Sequence, residues 1–212
     1  MNSDGTIAID AIIDHCLYGV FAHDPTVESR AATAGGSSAL RSASIALKTF
    51  SIPAEDLVFH VSSRLLPPWP NFVGVSQVFS GAAKAAIERH LTAKDRMRFA
   101  RYPVTLLDGV ADTVHLALPT EHIDVLSSWS TVAPNGVAQW WALDLHKLAH
   151  RSFFVVPEAR SNTVMRGDLL LALHELGWPG YAYELRVMDG KHMVSYEEWA
   201  EHPEWTGYEP PA

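Results

Sequence analysis

His146 and His150 stand four residues apart in His146-Lys147-Leu148-Ala149-His150. On a helix this spacing puts two imidazoles on one face, where they could share a zinc ion. The glutamate that follows the first histidine in a metalloprotease helix is here Lys147, so the motif lacks its general base. His60, His90, His115, His122 and His174 are scattered, none beside an obvious partner, and read as structural histidines. Glu197-Glu198 has the residue types for acid and base work, but adjacent helical residues do not share a face. Gly74-Val75-Ser76-Gln77-Val78 lacks the second glycine of a nucleophile elbow. Gly35-Gly36-Ser37-Ser38 has neither the spacing nor the lysine of a phosphate-binding loop, and both segments read as turns. The sequence thus nominates no catalytic residue, no metal ligand set and no cofactor.

The elements that would position any site read as an α+β chain. A helix is expected over Ala39 to Phe50 and strands at Leu57–Val61, Val78–Phe79, Arg101–Leu107 and Thr113–Leu118. The last two are joined by a hairpin turn at Asp108-Gly109. Pro67-Pro68-Trp69-Pro70 can continue neither a helix nor a central strand and reads as a rigid elbow. Phe72–Val75 reads as extended, and Gly81 to Leu91 as a helix. Trp140–Leu145 and Phe153–Val156 read as strands. Arg166 to Leu176 reads as a helix with Leu169, Leu173 and Leu176 on one face, stopped by Gly177. Tyr181–Val187 follows as a strand. Strand, helix and strand recur over about 78 to 107 and 153 to 187, two loosely similar units around mixed or antiparallel sheet.

Composition and charge narrow the partners. The chain has 212 residues, 48% apolar and 19% charged, enough to bury a sizeable core. A formal net charge of −8 disfavours nucleic acid and anionic lipid and leaves a basic protein as a compatible partner. No apolar run is long enough for a membrane helix, and the first residues do not resemble a secretion signal, so a cytoplasmic location is expected. The single cysteine, Cys16, fits a reducing compartment and reads as a buried thiol. The acidity is concentrated after residue 184, where Tyr196, Trp199, Trp205 and Tyr208 lie among Glu197, Glu198, Glu201 and Glu204. A short helix over Ser195–Glu201 and an extended tail containing proline are expected there. Trp199 and Trp205 read as partner-binding anchors, with Tyr196, Glu197, Glu198 and Glu201 as their rim. The same aromatics could instead strap the tail to its own domain, in which case the anchors shift to Trp129, Trp140 and Trp141.

Several segments together carry a family resemblance. Pro70-Asn71-Phe72-Val73-Gly74-Val75, a helix opened at Ser80, Tyr102-Pro103-Val104-Thr105-Leu106, and Phe154-Val155-Val156-Pro157 through Leu169 to Gly177-Trp178-Pro179-Gly180-Tyr181 form the pattern. It resembles the eleventh numbered immunity family of bacterial polymorphic toxin systems, a myxobacterial-type domain long catalogued without a function. The resemblance covers roughly residues 55–188, leaving 1–54 as an N-terminal arm and helix and 189–212 as an acidic aromatic tail. It implies an antitoxin in interbacterial competition, of the kind that accompanies type VI secretion, which binds the C-terminal domain of a cognate toxin rather than acting as an enzyme. A nuclease, with its basic substrate site, suits an acidic inhibitor. The alternatives are a small metal-dependent or acid/base hydrolase using the histidines, and an immunity protein that reverses a toxin's modification.

Overall fold

The computed structural model describes residues 6–21, 29–33, 50–52, 57–70, 77–159, 162–178 and 181–208. The loop at Gly35–Ser38, most of the helix expected from Ala39 and the run Phe72–Val75 lie outside them. In chain order the first half holds β1 (Thr6–Ile7), β2 (Leu17–Phe21), β3 (Ser29–Thr33), β4 (Leu57–Val61), β5 (Val78–Ser80), helix α1 (Gly81–His90), β6 (Met97–Thr105) and β7 (Ala111–Pro119). The middle holds β8 (Thr131–Val132), β9 (Ala138–Trp140), β10 (Leu143–Asp144) and β11 (Phe153–Val156). The remainder is β12 (Asn162–Arg166), α2 (Gly167–Glu175), β13 (Tyr181–Glu184), β14 (Val187–Asp189), β15 (His192–Val194) and α3 (Tyr196–Ala200). The fold class is α+β.

Two five-stranded sheets carry the body, in the orders β1-β13-β2-β12-β11 and β3-β4-β6-β7-β5. The first is antiparallel throughout, and the second is mixed because β4 and β6 pair in parallel. β7 runs antiparallel to both β5 and β6, so β5 and β6 are parallel to each other across it, with α1 as their crossover. β2 stands in the same way between β12 and β13, with α2 as the crossover. The first expected strand-helix-strand unit is present; in the second the strand that enters the helix is β12, not Phe153–Val156 as expected, and with that change the two units share a topology, each split by an inserted antiparallel strand.

The correspondence extends to single residues. Val78 and Val164, Ser80 and Arg166, and Gly81 and Gly167 occupy matching places at the two strand-to-helix junctions. The Gln77 side-chain amide donates to Thr163 Oγ1 at 3.0 Å, and both residues are buried and stand immediately before the matching valines. Gly167 is required for packing, since a Cβ there would lie 2.0 Å from the Ile13 carbonyl oxygen. Asp95 joins the units: its buried carboxylate accepts from the backbone N–H groups of Thr92, Ser152 and Phe153 and from the Ser152 hydroxyl at 2.6–3.2 Å. Satisfying a buried carboxylate this fully is what allows it to stay inside.

Local chemistry explains α1 and α2. Ser80 caps α1 by accepting from Ala83 N, alanines fill its first turns, Lys84 pairs with Glu88, and Arg89 and His90 face the negative end of the dipole. In α2, Leu169, Leu170 and Leu173 are buried. Leu176, expected on the same face, is 41% exposed because the helix has ended, and Gly177 turns the chain with φ +92°. The main core joins β2, β11, β12 and both helices, with Trp69 stacked on Trp178 at 5.6 Å and Phe79 edge-on to Phe153. A second core on β4, β6 and β7 includes Phe59, Tyr102 and Leu116.

Two strand readings need correction. Trp140–Leu145 is not one strand: β9 ends at Trp140, β10 follows, and Leu145–Lys147 is a 3-10 turn capped by Asp144. Tyr181–Val187 likewise divides, β13 joining the antiparallel five-stranded sheet and β14 a small sheet ordered β10-β14-β15. Among the described residues no helix is long and apolar enough to cross a membrane.

Candidate partner-binding surface

The short helix expected at Ser195 is present as α3, with a complete capping box. Ser195 Oγ accepts from Glu198 N at 3.1 Å, and the Glu198 carboxylate accepts from Ser195 N. Helix periodicity then divides its residues. Trp199 turns inward and is buried at 4% exposure in the main core, with no acceptor for its indole N–H among the described residues. It cannot serve as the exposed anchor expected of it without leaving that core. Tyr196 is half-buried. Ile13 N donates to Tyr18 Oη at 2.8 Å, the Tyr18 and Tyr196 hydroxyls lie 2.5 Å apart, and Tyr196 donates to the Ala11 carbonyl at 3.0 Å. Burial raises the Tyr196 pKa, and burial pushes the Cys16 thiol beneath this chain up to about 12, consistent with an unreactive thiol.

The rest of the tail is fastened as well. The expected extended segment is instead a 3-10 turn at Pro203–Trp205. Trp205 is half-buried, and its ring stacks on His202 at 4.3 Å. The Thr206 carbonyl accepts from His150 N at 2.7 Å, the Ala200 carbonyl lies 3.2 Å from His15 Nε2, and the Arg166 guanidinium sits over the Tyr208 ring. Residues 189–208 form a strap whose aromatics face the body. Its carboxylates are what solvent meets: Asp189, Glu197, Glu201 and Glu204 are exposed, and Glu198 is half-exposed. A hydrogen bond from His192 at 3.1 Å lowers the Glu198 pKa, whereas burial and then the charge of Glu197 raise that of Glu184.

The histidine pair has no helix to act from. His146 lies in the 3-10 turn with Nε2 3.0 Å from Asp189, and His150 has φ +62° and gives its backbone to the strap. Among the described residues no group of three or more potential ligands is placed to hold a metal ion.

An exposed aromatic surface exists elsewhere, on the hairpin of β8 and β9. It forms a two-stranded sheet paired with no other named strand. Trp129 is 51% and Val132 44% exposed, while Trp140 is half-buried beside the Arg186 guanidinium at 6.0 Å and Trp141 packs on the main core. Ala133 N donates to the Val137 carbonyl, Gly136 N to Ala133, and the Ser130 hydroxyl exchanges bonds with Ala142 at the base. The sequence flagged the tryptophans here but missed the hairpin, although Pro134-Asn135-Gly136 between β-forming residues is a turn signal. No family model and no curated protein matches the chain. The resemblance to the eleventh immunity family therefore rests on the residues quoted for it.

Proposed function

We propose that this chain is an immunity protein that binds the C-terminal domain of a cognate toxin in the cytoplasm and neutralises it by direct occlusion. The observation that carries the reading is the division of the strap, with aromatics fixed inward and Asp189, Glu197, Glu201 and Glu204 held outward on an anchored segment. Charges fixed in place before encounter steer a cationic partner without the cost of ordering them on binding. The chain's net charge of −8 and the family resemblance point the same way. A nuclease is the leading toxin class, because its substrate site must be basic.

The test is to find whether a secreted toxin is encoded directly beside this chain and to co-purify the full chain with that toxin's C-terminal domain, followed by association rates between about 0.05 and 0.5 M salt. Exposed charges are screened over about 10 Å at 0.1 M, so steering should weaken across this range. A stable complex whose association slows with salt supports the reading, and the absence of any complex contradicts it. A histidine-based hydrolase is the alternative. One equivalent of bound zinc, lost with an activity in His146→Ala or His150→Ala, would favour it.

A further inference from the structure

We infer that the strap is a pH-responsive clasp, held more tightly to the body when its histidines carry protons than when they are neutral. Such a clasp operates whether or not the strap meets a toxin. Four histidines hold the strap or its turns through a ring nitrogen, and each meets an acceptor. His15 Nε2 lies 3.2 Å from the Ala200 carbonyl, and His146 Nε2 lies 3.0 Å from Asp189. These two contacts cross from the body. His192 Nε2 lies 3.1 Å from Glu198, and His202 Nδ1 lies 2.7 Å from Glu204. These two brace the strap's own capping box and 3-10 turn. A proton on each ring turns its contact into a charge-assisted hydrogen bond. The ring of a fifth histidine, His150, lies against Gly207, which makes room for it by lacking a Cβ.

The groups around these rings keep that sign. Lys147, next to His146, is taken up by Asp124 and the Leu126 carbonyl, and the Asp144 carboxylate accepts from His146 N. His15 stands beside the Tyr208 ring, whose hydroxyl donates to Asp14. Lys191, the neighbour of His192, is the one lysine or arginine in residues 189–208. The bond from His192 is the leading cause of the lowered Glu198 pKa, and that of Glu204 is lowered by its own backbone N–H and then by His202. A histidine that gains a carboxylate partner on folding adds a hold that is complete below the ordinary imidazole range and lost as pH rises through it. A carboxylate with a lowered pKa adds a hold lost as pH falls through that lowered value. The clasp is therefore tightest between the two, in mildly acidic solution. The same protons change what solvent meets. Residues 189–208 carry five carboxylates and one lysine, a net −4, and protons on His146, His192 and His202 bring the local total to −1.

The experiment follows hydrogen exchange of the full chain by NMR from about pH 8 to about pH 5.5, corrected for the intrinsic pH dependence of exchange. The reporting amides are those of Trp199, His202 and Trp205, which donate to the Ser195, Trp199 and His202 carbonyls, and that of His150, which donates to Thr206. Their protection should rise about fivefold on acidification, a size suited to a few exposed ion pairs, while the amides joining β6 to β7 keep theirs. Two variants identify the cause. His146→Gln with His192→Gln and His202→Gln removes the titrating rings, and Asp189→Asn with Glu198→Gln and Glu204→Gln removes their partners. Each should flatten the rise. Unchanged or falling protection in the wild-type protein would overturn the inference. So would a rise that survives in either variant, or one that appears equally in β6 and β7.

Discussion

The strap at residues 189–208 and the hairpin of β8 and β9 are both rich in tryptophan, yet they dispose of it in opposite ways. Trp199 stands among carboxylates and is buried, whereas Trp129 stands in an uncharged run and is about half exposed. Charge beside an aromatic along the chain does not establish exposure. On α3 the carboxylates occupy the face that the ring leaves to solvent, so charged neighbours are the other half of an amphipathic segment. A hairpin paired with no other strand among the described residues has less body to bury its aromatics against.

The largest effect should come from removing the inward ring. Trp199→Ala should cost about 3–5 kcal/mol, the range for emptying a core site of this size, read as a lower denaturation midpoint. Trp199→Phe should cost less, because the lost indole N–H has no acceptor among the described residues. A midpoint unmoved by Trp199→Ala would return this residue to the surface. Next, Tyr196→Phe should cost about 1–2 kcal/mol, since it removes the hydroxyl linking Tyr18 to the Ala11 carbonyl. Trp129→Ala should change stability by less than about 0.5 kcal/mol, as befits an exposed side chain. A larger loss in thermal denaturation would make the hairpin structural too and erase the contrast.

The smallest effect concerns pH. The Glu198 pKa is lowered in the folded protein, so its contribution is present at neutral pH and is lost as pH falls through that lowered value. Fluorescence of the strap tryptophans in wild type should report loosening below the ordinary carboxylate range. Glu198→Gln should remove that component of the titration. An identical titration in the variant would show that the capping box does not respond to pH.

The fold was legible where local signals are strong. Leu57–Val61 and Phe153–Val156 match β4 and β11 residue for residue, the Asp108-Gly109 turn joins β6 to β7, and Gly177 stops α2. β2 was not legible, although it is the central strand of its sheet. Leu17-Tyr18-Gly19-Val20-Phe21 shows no alternation because residues 17–20 are all buried, and its partners lie 143–166 residues away. Asp95 gave no signal either, since its donors come from Ser152 and Phe153 across the fold as well as from Thr92 nearby. The strap was half legible. Its helix and cap follow from Ser195-Tyr196-Glu197-Glu198, but the direction of Trp199 depends on a core assembled from distant segments.

The contrast between the two regions is tested most directly by measuring thermal midpoint and toxin-domain dissociation rate on the same two variants, Trp199→Ala and Trp129→Ala. Trp199→Ala should lower the midpoint and leave dissociation of the remaining folded protein near wild type. Trp129→Ala should do the reverse, with an unchanged midpoint and dissociation faster by tenfold or more, on the order of 1.4 kcal/mol. A Trp199→Ala protein that melts like wild type but releases the toxin domain rapidly would contradict the contrast.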